Sequence, residues 1–183
     1  MILQIYLYGS NVLREKTELV TPDYADLKQL IENMYETMYN ADGVGLAAPQ
    51  VGKTIRLFVV DANPMADEYP EAKGFRKTFI NPVILETSGD PVAYEEGCLS
   101  IPSLREEVVR NSIVKIKYLD EDFNEHTDVY DGIVSRIIQH EYDHIEQTVF
   151  TDHVSQLKKK LLKRKLNNIK NGKNMPAYRA RIN

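Results

Sequence analysis

The chain has 183 residues, of which 43% are hydrophobic and 27% charged, with a single cysteine. These values are typical of one globular domain, and one cysteine excludes an internal disulfide. The sequence has no run of eighteen apolar residues and no signal-like N-terminal pattern. We therefore expect a soluble, cytoplasmic protein that does not enter a membrane.

The net charge of −4 conceals an uneven distribution along the chain. All 27 acidic residues lie at or before Asp152, whereas 10 of the 23 basic residues lie in residues 154–183. The body therefore carries −14 and the C-terminal segment +10. A basic segment on an acidic body suggests an anionic partner, or else a solvated helix whose charges aid solubility.

Apolar spacing predicts the order of secondary-structure elements. A helix is predicted from Pro22-Asp23 to Gly43, because apolar residues recur at three- and four-residue spacing between Leu27 and Met38. Strands are predicted at 55–61, 78–85, 91–99, 107–109, 113–119 and 125–130, with a surface loop at 62–77. No helix separates these strands, so we predict antiparallel or mixed sheet in an α+β fold.

Two more helices are predicted after the strands. Asp131 is a suitable N-cap for a central helix that begins at Gly132. A basic amphipathic helix is predicted at 154–170, with leucines on one side and lysines largely on the other. Residues 1–170 would form a single domain, and 171–183 are expected to be a flexible tail.

The central helix contains Gln139–His144, which reads Q-H-E-Y-D-H. On a helix His140 and His144 lie one turn apart, about 5–6 Å between Cβ atoms, close enough to bind one metal ion. Glu141 could then reach a metal-bound water. The alternative is a polar helix face with two ordinary histidines. A catalytic metal site usually has three protein ligands, so a third must come from elsewhere.

The candidates for the third ligand are His126, His153 and Cys98. Cys98 lies on a predicted strand, shares a face with Glu96 and follows Gly97, and a thiolate is a strong ligand for a borderline metal. His126 lies in a polar hairpin and His153 beside a helix start, where solvent exposure is expected. We favour Cys98, although a single cysteine is more often a small buried hydrophobe.

The stretch Gly43–Gln50 (G-V-G-L-A-A-P-Q) is rich in small residues. It follows a helix and contains Pro49, whereas a dinucleotide-binding loop lies between a strand and a helix. Glycines let another backbone approach closely, so the functional interpretation is a loop that grips an extended peptide. The structural alternative is a simple tight turn.

Three stretches together resemble the peptide deformylase family. Its motifs G-x-G-x-A-A-x-Q, E-G-C-L-S and Q-H-E-x-D-H occur here in the same order, at Gly43–Gln50, Glu96–Ser100 and Gln139–His144. The long C-terminal helix is similar to that of the bacterial type I members. The resemblance implies a metal-dependent hydrolase that removes the formyl group from the N-terminal formylmethionine of newly synthesised proteins and releases formate.

The resemblance also implies a metal centre. Cys98, His140 and His144 would bind one divalent ion, Fe²⁺ being the physiological ion and Zn²⁺ or Ni²⁺ being able to replace it. A bound cation lowers the pKa of its water, from about 15.7 to near 7 in the best zinc cases. Glu141 would act as general base and pass the proton to the leaving amine.

The remaining roles are carried over position by position. The oxyanion donors would be the Gln50 amide and the Leu99 N–H. The substrate-binding positions implied are Gly43, Val44, Gly45, Tyr94, Glu96, Gly97, Arg105, Ile133, Arg136 and Ile137. Tyr94 and Arg136 depart from the aliphatic residues expected there, so either the pocket is differently shaped or their polar ends point to solvent. Asp143 is expected to support a ligand histidine, an arginine or a backbone group.

Two alternatives remain open on the residues alone. An H-E-x-x-H zinc endopeptidase would take its third ligand downstream of His144 instead of using Cys98. A ribosome- or nucleic-acid-associated module would hold a structural metal and would not need Glu141. The partners expected are formylmethionyl nascent chains and, through helix 154–170, ribosomal RNA, with neither DNA nor membrane among them.

Overall fold

The computed structural model describes residues 1–182. The helices are α1 (Leu27–Asn40), α2 (Gly132–Ile145) and α3 (Gln156–Lys170). The strands are β1 (Ile5–Tyr6), β2 (Gly45–Ala47), β3 (Leu57–Asp61), β4 (Arg76–Cys98), β5 (Ile101–Leu119), β6 (Glu125–Tyr130) and β7 (Ala180–Arg181). The predicted α+β class is confirmed. None of the helices in this part of the chain is long and apolar enough to span a bilayer.

Five strands form an antiparallel sheet in the order β2-β3-β4-β5-β6. The runs predicted separately at 78–85 and 91–99 are parts of β4, and those at 107–109 and 113–119 are parts of β5. The polar stretch between the first two runs continues the ladder through register shifts, including one between Ser88 and Pro91. Such bulges let a long strand bend without ending.

The β4–β5 connection is the tight turn at Leu99-Ser100. Because Cys98 is the last residue of β4, this turn fixes the position of the thiol and of the Leu99 N–H together. The neighbouring strand β2 is at one edge of the sheet and pairs only with β3 among the described residues. On its other edge the Ala47 N–H donates to Gln50 Oε1, and no strand of the described residues pairs there.

Helix α2 packs against the sheet through its apolar side. Ile133, Ile137 and Ile138 belong to a buried cluster that also contains Phe58 and Phe79. The helix begins at Gly132 as predicted, although the Asp131 side chain makes no capping hydrogen bond. The polar end of the helix, which carries the two histidines, is thereby held next to the end of β4.

The predicted boundaries of the other two helices are corrected. Helix α1 begins at Leu27, not at Pro22-Asp23, because Asp26 has a left-handed backbone with φ of 56°. Helix α3 begins at Gln156, where the Ser155 side chain accepts a hydrogen bond from the backbone of Lys158.

The prediction of a flexible tail from Asn171 is wrong for the end of the described chain. Strand β7 pairs in parallel with β1, with Ile5 opposite Ala180. Tyr178, two residues before this strand, packs against a buried cluster that includes Ile5 and Leu104. Composition suggested disorder, but the partner strand lies at the other end of the sequence and leaves no local signal.

Candidate active site

The end of β4 and helix α2 bring three metal-ligating side chains together. Cys98 Sγ lies 3.2 Å from His144 Nε2, and the centroids of the His140 and His144 rings are 5.3 Å apart. The possible ligand atoms of all three residues lie within 4.8 Å of one another. Among residues 1–182 this is the only such group of three. His126 and His153 instead contact Asp120 and Asp143, respectively.

The chemistry of this group fits a divalent metal ion. One thiolate and two imidazoles suit Fe²⁺, Zn²⁺ or Ni²⁺, and three protein ligands leave a position for water or substrate. His140 Nδ1 donates to Glu96 Oε2 at 2.9 Å, so its Nε2 is left for a ligand. Glu141 Oε2 is buried without a hydrogen-bond partner in the described chain, as a carboxylate oxygen beside an exchangeable ligand would be.

Glu96 lies at the centre of a buried ionic network. Arg110 donates to both of its carboxylate oxygens at 2.7 and 3.0 Å, and Arg136 Nη1 donates at 3.0 Å. Burial alone would raise the pKa of Glu96, but the hydrogen bonds from His140 and Arg110 outweigh it and hold that pKa well below its usual range. An ionised Glu96 fixes the tautomer and orientation of His140.

Arg110 extends this network to the last turn of α2. Its Nη2 lies 2.8 Å from Asp143 Oδ2, which also accepts from His153 Nε2 at 2.7 Å. Burial opposes ionisation of Asp143, but the His153 hydrogen bond and the Arg110 charge lower its pKa. Of the contacts expected for Asp143, the structure shows the one to an arginine.

The Gln50 side chain is oriented by the turn that carries it. Its Oε1 accepts a hydrogen bond from the Ala47 N–H at 2.8 Å, which directs the amide nitrogen towards the β4–β5 turn. Nε2 then donates to Ser100 Oγ at 3.2 Å and to Cys98 Sγ at 3.5 Å. Gln50 is almost completely buried, so the amide is held in place before any ligand arrives.

Glu141 lies against a glycine of the first motif. A Cβ on Gly45 would be 2.4 Å from Glu141 Oε1, so only a glycine leaves room for the carboxylate here. Burial raises the pKa of Glu141 to about 7, although the charges of His140 and His144 act in the opposite direction. A carboxyl group with such a pKa can exchange a proton near neutral pH.

The Cys98 thiol and the His140 imidazole stabilise each other's charged forms. Burial would raise the pKa of Cys98, but the charge of His144 and the hydrogen bond with His140 lower it to about 5. The pKa of His140 is raised well above its usual value, because the contacts with Cys98 and Glu96 outweigh burial. The thiolate form that a metal requires is thus favoured.

A cavity of about 850 Å³ opens onto this group. Every substrate-binding position proposed from the sequence lines it, as do Gln50, Cys98, Leu99, His140 and Glu141. His144 is not among the lining residues and lies behind the other ligands. The cavity is lined on one side by the loop and strand at 41–45 and on another by the end of β4.

The structure decides between the two alternatives left open for Arg136 and shows what Glu96 contacts. Arg136 does not point to solvent: it is 7% exposed, and its guanidinium also donates to the carbonyl oxygens of Val92 and Val108. Glu96 binds His140 and two arginines, which leaves it no free oxygen for substrate. Tyr94 is half-buried, with the Arg136 guanidinium 5.7 Å from its ring centroid.

Sequence reasoning missed several residues near the site. Arg110 lies between two of the predicted strands and was not singled out, and its even spacing from the buried Val108 was the available signal. Met65 lines the cavity, so the segment at 62–77 is more than a surface loop. Glu71 of this segment accepts a hydrogen bond from the Ile133 N–H. Tyr178 had no signal in the sequence.

Comparison with known proteins agrees with this geometry. The family model described as "Polypeptide deformylase" matches residues 2–160. The peptide deformylase of Flavobacterium johnsoniae is 53% identical over 100% of this chain and 96% of its own length.

Solved structures give the same result. The peptide deformylase of Legionella pneumophila superposes with a TM-score of 0.82 at 34% identity, over 96% of this chain and 100% of that one. The Synechococcus elongatus peptide deformylase in complex with actinonin superposes with a TM-score of 0.78 at 36% identity. The match covers 99% of this chain and 92% of that one. The zinc endopeptidase and the non-enzymatic module are not favoured by these matches. The chain therefore belongs to the peptide deformylase family of enzymes.

Proposed function

We propose that this enzyme hydrolyses the formamide bond of N-terminal formylmethionine on newly synthesised proteins, releasing formate. The observation that carries the proposal is the convergence of Cys98, His140 and His144 with Glu141 and Gln50 on one cavity. We further propose Fe²⁺ as the physiological metal, with Zn²⁺ or Ni²⁺ able to occupy the same ligands. The cytoplasm, where nascent chains emerge, is the proposed location.

Each residue has a distinct task in this proposal. The thiolate and two imidazoles hold the ion, which when bound supplies a Lewis acid that activates water and polarises a carbonyl. Glu96 and Arg110 keep His140 in the ligating orientation. These positioning contacts are made before the reaction and therefore need no rearrangement during it.

Glu141 is the proposed general base. Its carboxylate takes a proton from the attacking water and delivers it to the leaving amine, so a methionyl N-terminus and formate result. Burial raises the pKa of this carboxyl to about 7 in the metal-free chain, and a bound cation would lower it towards the ordinary value. Gly45 allows the carboxylate to approach the reacting centre closely.

Gln50 and Leu99 are the proposed oxyanion donors. As the formyl carbon becomes tetrahedral, negative charge develops on its oxygen and requires donors that are already aimed at it. The Gln50 amide is pre-oriented by Ala47, and the Leu99 N–H belongs to the turn that follows the Cys98 ligand. One such donor contributes about 3–4 kcal/mol of transition-state stabilisation.

The peptide is proposed to bind as an added strand. The free edge of β2 at Gly45 and the end of β4 at Gly97 offer backbone groups on opposite sides of the cavity. An extended peptide between them would form main-chain hydrogen bonds on either side. The methionine side chain would then occupy the apolar surface made by Val44, Ile133 and Ile137.

The test is formate release from formyl-Met-Ala-Ser under anaerobic conditions, with metal analysis of the same sample. We expect one formate per free methionyl amine and about one metal ion per chain. Glu141→Gln should retain the fold and the metal but lose turnover. Cleavage of internal peptide bonds without formate would instead support an endopeptidase and refute the proposal.

Helix α3 is proposed to contact ribosomal RNA. Leu162, Leu166 and Ile169 are buried against the body, so the basic side of the helix faces outwards. Phosphate contacts made by such a surface weaken steeply with salt. Deleting the helix would expose the apolar surface of the body that it covers, so charge reversal is the cleaner test.

The double variant K160E/K163E alters exposed residues of α3, and K16E/K73E makes the same charge change elsewhere on the surface. We expect only the first to lose low-salt co-sedimentation with ribosomes. Equal co-sedimentation of both variants and the unaltered chain would reject the contact.

A further inference from the structure

The segment at residues 176–182, here called the strap, borders the active-site cavity. Its residues Pro176, Ala177 and Tyr178 line the same cavity as Cys98. We infer that the strap forms a wall of the groove that receives the peptide residue following formylmethionine, and that it contributes to selection at that position. This inference rests on the proposed function. The experiment below distinguishes failure of the inference from failure of the proposed function.

The strap is fixed to the N-terminal strand by backbone and side-chain contacts. The Ile5 N–H donates to the Arg179 carbonyl at 3.0 Å, and the Leu7 N–H donates to the Arg181 carbonyl at 2.9 Å. Arg179 Nη1 also donates to the Ile2 carbonyl at 3.0 Å. Because Ile5 and Leu7 are fully buried, the strap is attached to a rigid part of the fold.

Tyr178 connects the strap to the β4–β5 turn. Its hydroxyl donates to the Leu99 carbonyl at 2.5 Å. On the other side of the same turn, the Tyr8 N–H donates to the Ser100 carbonyl at 2.7 Å. Tyr178 is therefore a positioning residue for the segment that carries the proposed Leu99 oxyanion donor.

The strap and the proposed methionine pocket lie in different parts of the cavity. Ile133 and Ile137 pack in one hydrophobic cluster, with Val44 against it. Tyr178 packs in another, which contains Ile101 and Leu104. A peptide whose methionine occupies the first cluster would therefore place a different residue beside the strap.

The strap offers a small, largely apolar surface to that residue. Ala177 is exposed and Pro176 is half-buried, and both face the cavity. Neither side chain carries a hydrogen-bonding group that could select a polar residue. We therefore expect the available space, and thus the size of Ala177, to decide which side chains are accepted after methionine.

Ala177→Phe tests the inference by filling this space. The measurement is kcat/KM for formate release from formyl-Met-Ala-Ser and from formyl-Met-Phe-Ser, with metal content of each sample. We expect the preference for the alanine peptide to rise about tenfold, mainly through KM, as pocket contacts of this size allow. The control is Asn174→Phe, which adds the same ring at an exposed position outside the cavity.

Tyr178→Phe tests the connection to the turn, because it removes only the hydroxyl. We expect kcat to fall about two- to tenfold for both peptides, with KM and metal content unchanged, as for loss of one hydrogen bond. The inference would be overturned if the preference of Ala177→Phe for the alanine peptide, as the ratio of the two kcat/KM values, were within twofold of that of the unaltered chain. Failure of the unaltered chain to release formate from either peptide would instead reject the proposed function.

Discussion

Arg110→Met is expected to destabilise the fold and to weaken metal binding. The Arg110 side chain is 6% exposed and bridges Glu96 and Asp143. Removing one partner of a buried ion pair costs about 3–5 kcal/mol. The lower end of this range applies to Arg110→Met, because Glu96 would keep its contact with Arg136 and Asp143 would keep its contact with His153. We therefore expect a loss of about 3 kcal/mol in the free energy of unfolding.

Two measurements check this value. For a chain of this size a change of 1 kcal/mol shifts Tm by about 2–4 °C, so Tm should fall by about 6–12 °C. Metal affinity, measured by competition with a chelator, should fall at least about tenfold, because Glu96 is less firmly held against His140. Urea unfolding of the metal-free protein measures the loss of fold stability alone, without the stabilisation that bound metal adds.

Arg14→Met is the matched control. Arg14 pairs with Asp152 at 2.6 Å, but the two side chains are 45% and 38% exposed. Exposed pairs contribute at most about 1 kcal/mol. Equal effects of Arg14→Met and Arg110→Met, or unchanged metal affinity in Arg110→Met, would refute the positioning network.

Three other variants probe the catalytic groups. Gln50→Ala should lower kcat about 100- to 1000-fold while metal analysis still finds a full complement of ion. Gly45→Ala should lower kcat about 100-fold and also lower Tm, because its Cβ would displace the buried Glu141 side chain. In chelated protein the pKa of Glu141 is about 7 against 4.5 for an ordinary glutamate. Glu141 then binds more protons in the native state than in the unfolded state in that range, so its contribution to the free energy of unfolding should fall as pH rises from about 4.5 to 7. Because the lowered pKa of Cys98 acts in the opposite direction above about 5, the measured quantity is the difference in the free energy of unfolding between the unaltered chain and Glu141→Gln in urea titrations, and this difference should fall over the range.

Local patterns in the sequence were sufficient for much of this fold. The three-and-four spacing of apolar residues located α1 and α2, and alternation located the strands, because both reflect which side of an element faces the core. The boundaries were less accurate where a bulge or a left-handed residue such as Asp26 decides them. The pairing of β1 with β7 could not be predicted, since it joins distant segments of two residues each.

The candidate site, like the fold, could be predicted from the sequence only in part. The spacing of His140 and His144 and the strand position of Cys98 could be predicted, because the local sequence of one helix and of one strand sets each of them. The contacts of Glu96 were not, because they depend on Arg110 and Arg136, which come from a different strand and a helix. A buried charge network leaves no periodic pattern, so charged residues within it resemble surface residues in sequence.

The proposed thiolate ligand Cys98 is the feature that would separate this site from an ordinary H-E-x-x-H centre. The most direct test is to load the chelated protein with Co²⁺ and to record its absorption spectrum alongside metal analysis, for the unaltered chain and for Cys98→Ser. We predict one ion per chain with a sulfur-to-metal charge-transfer band in the unaltered chain, and loss of that band and of tight binding in the variant. An unchanged spectrum with one tightly bound ion in Cys98→Ser would contradict the proposed metal centre.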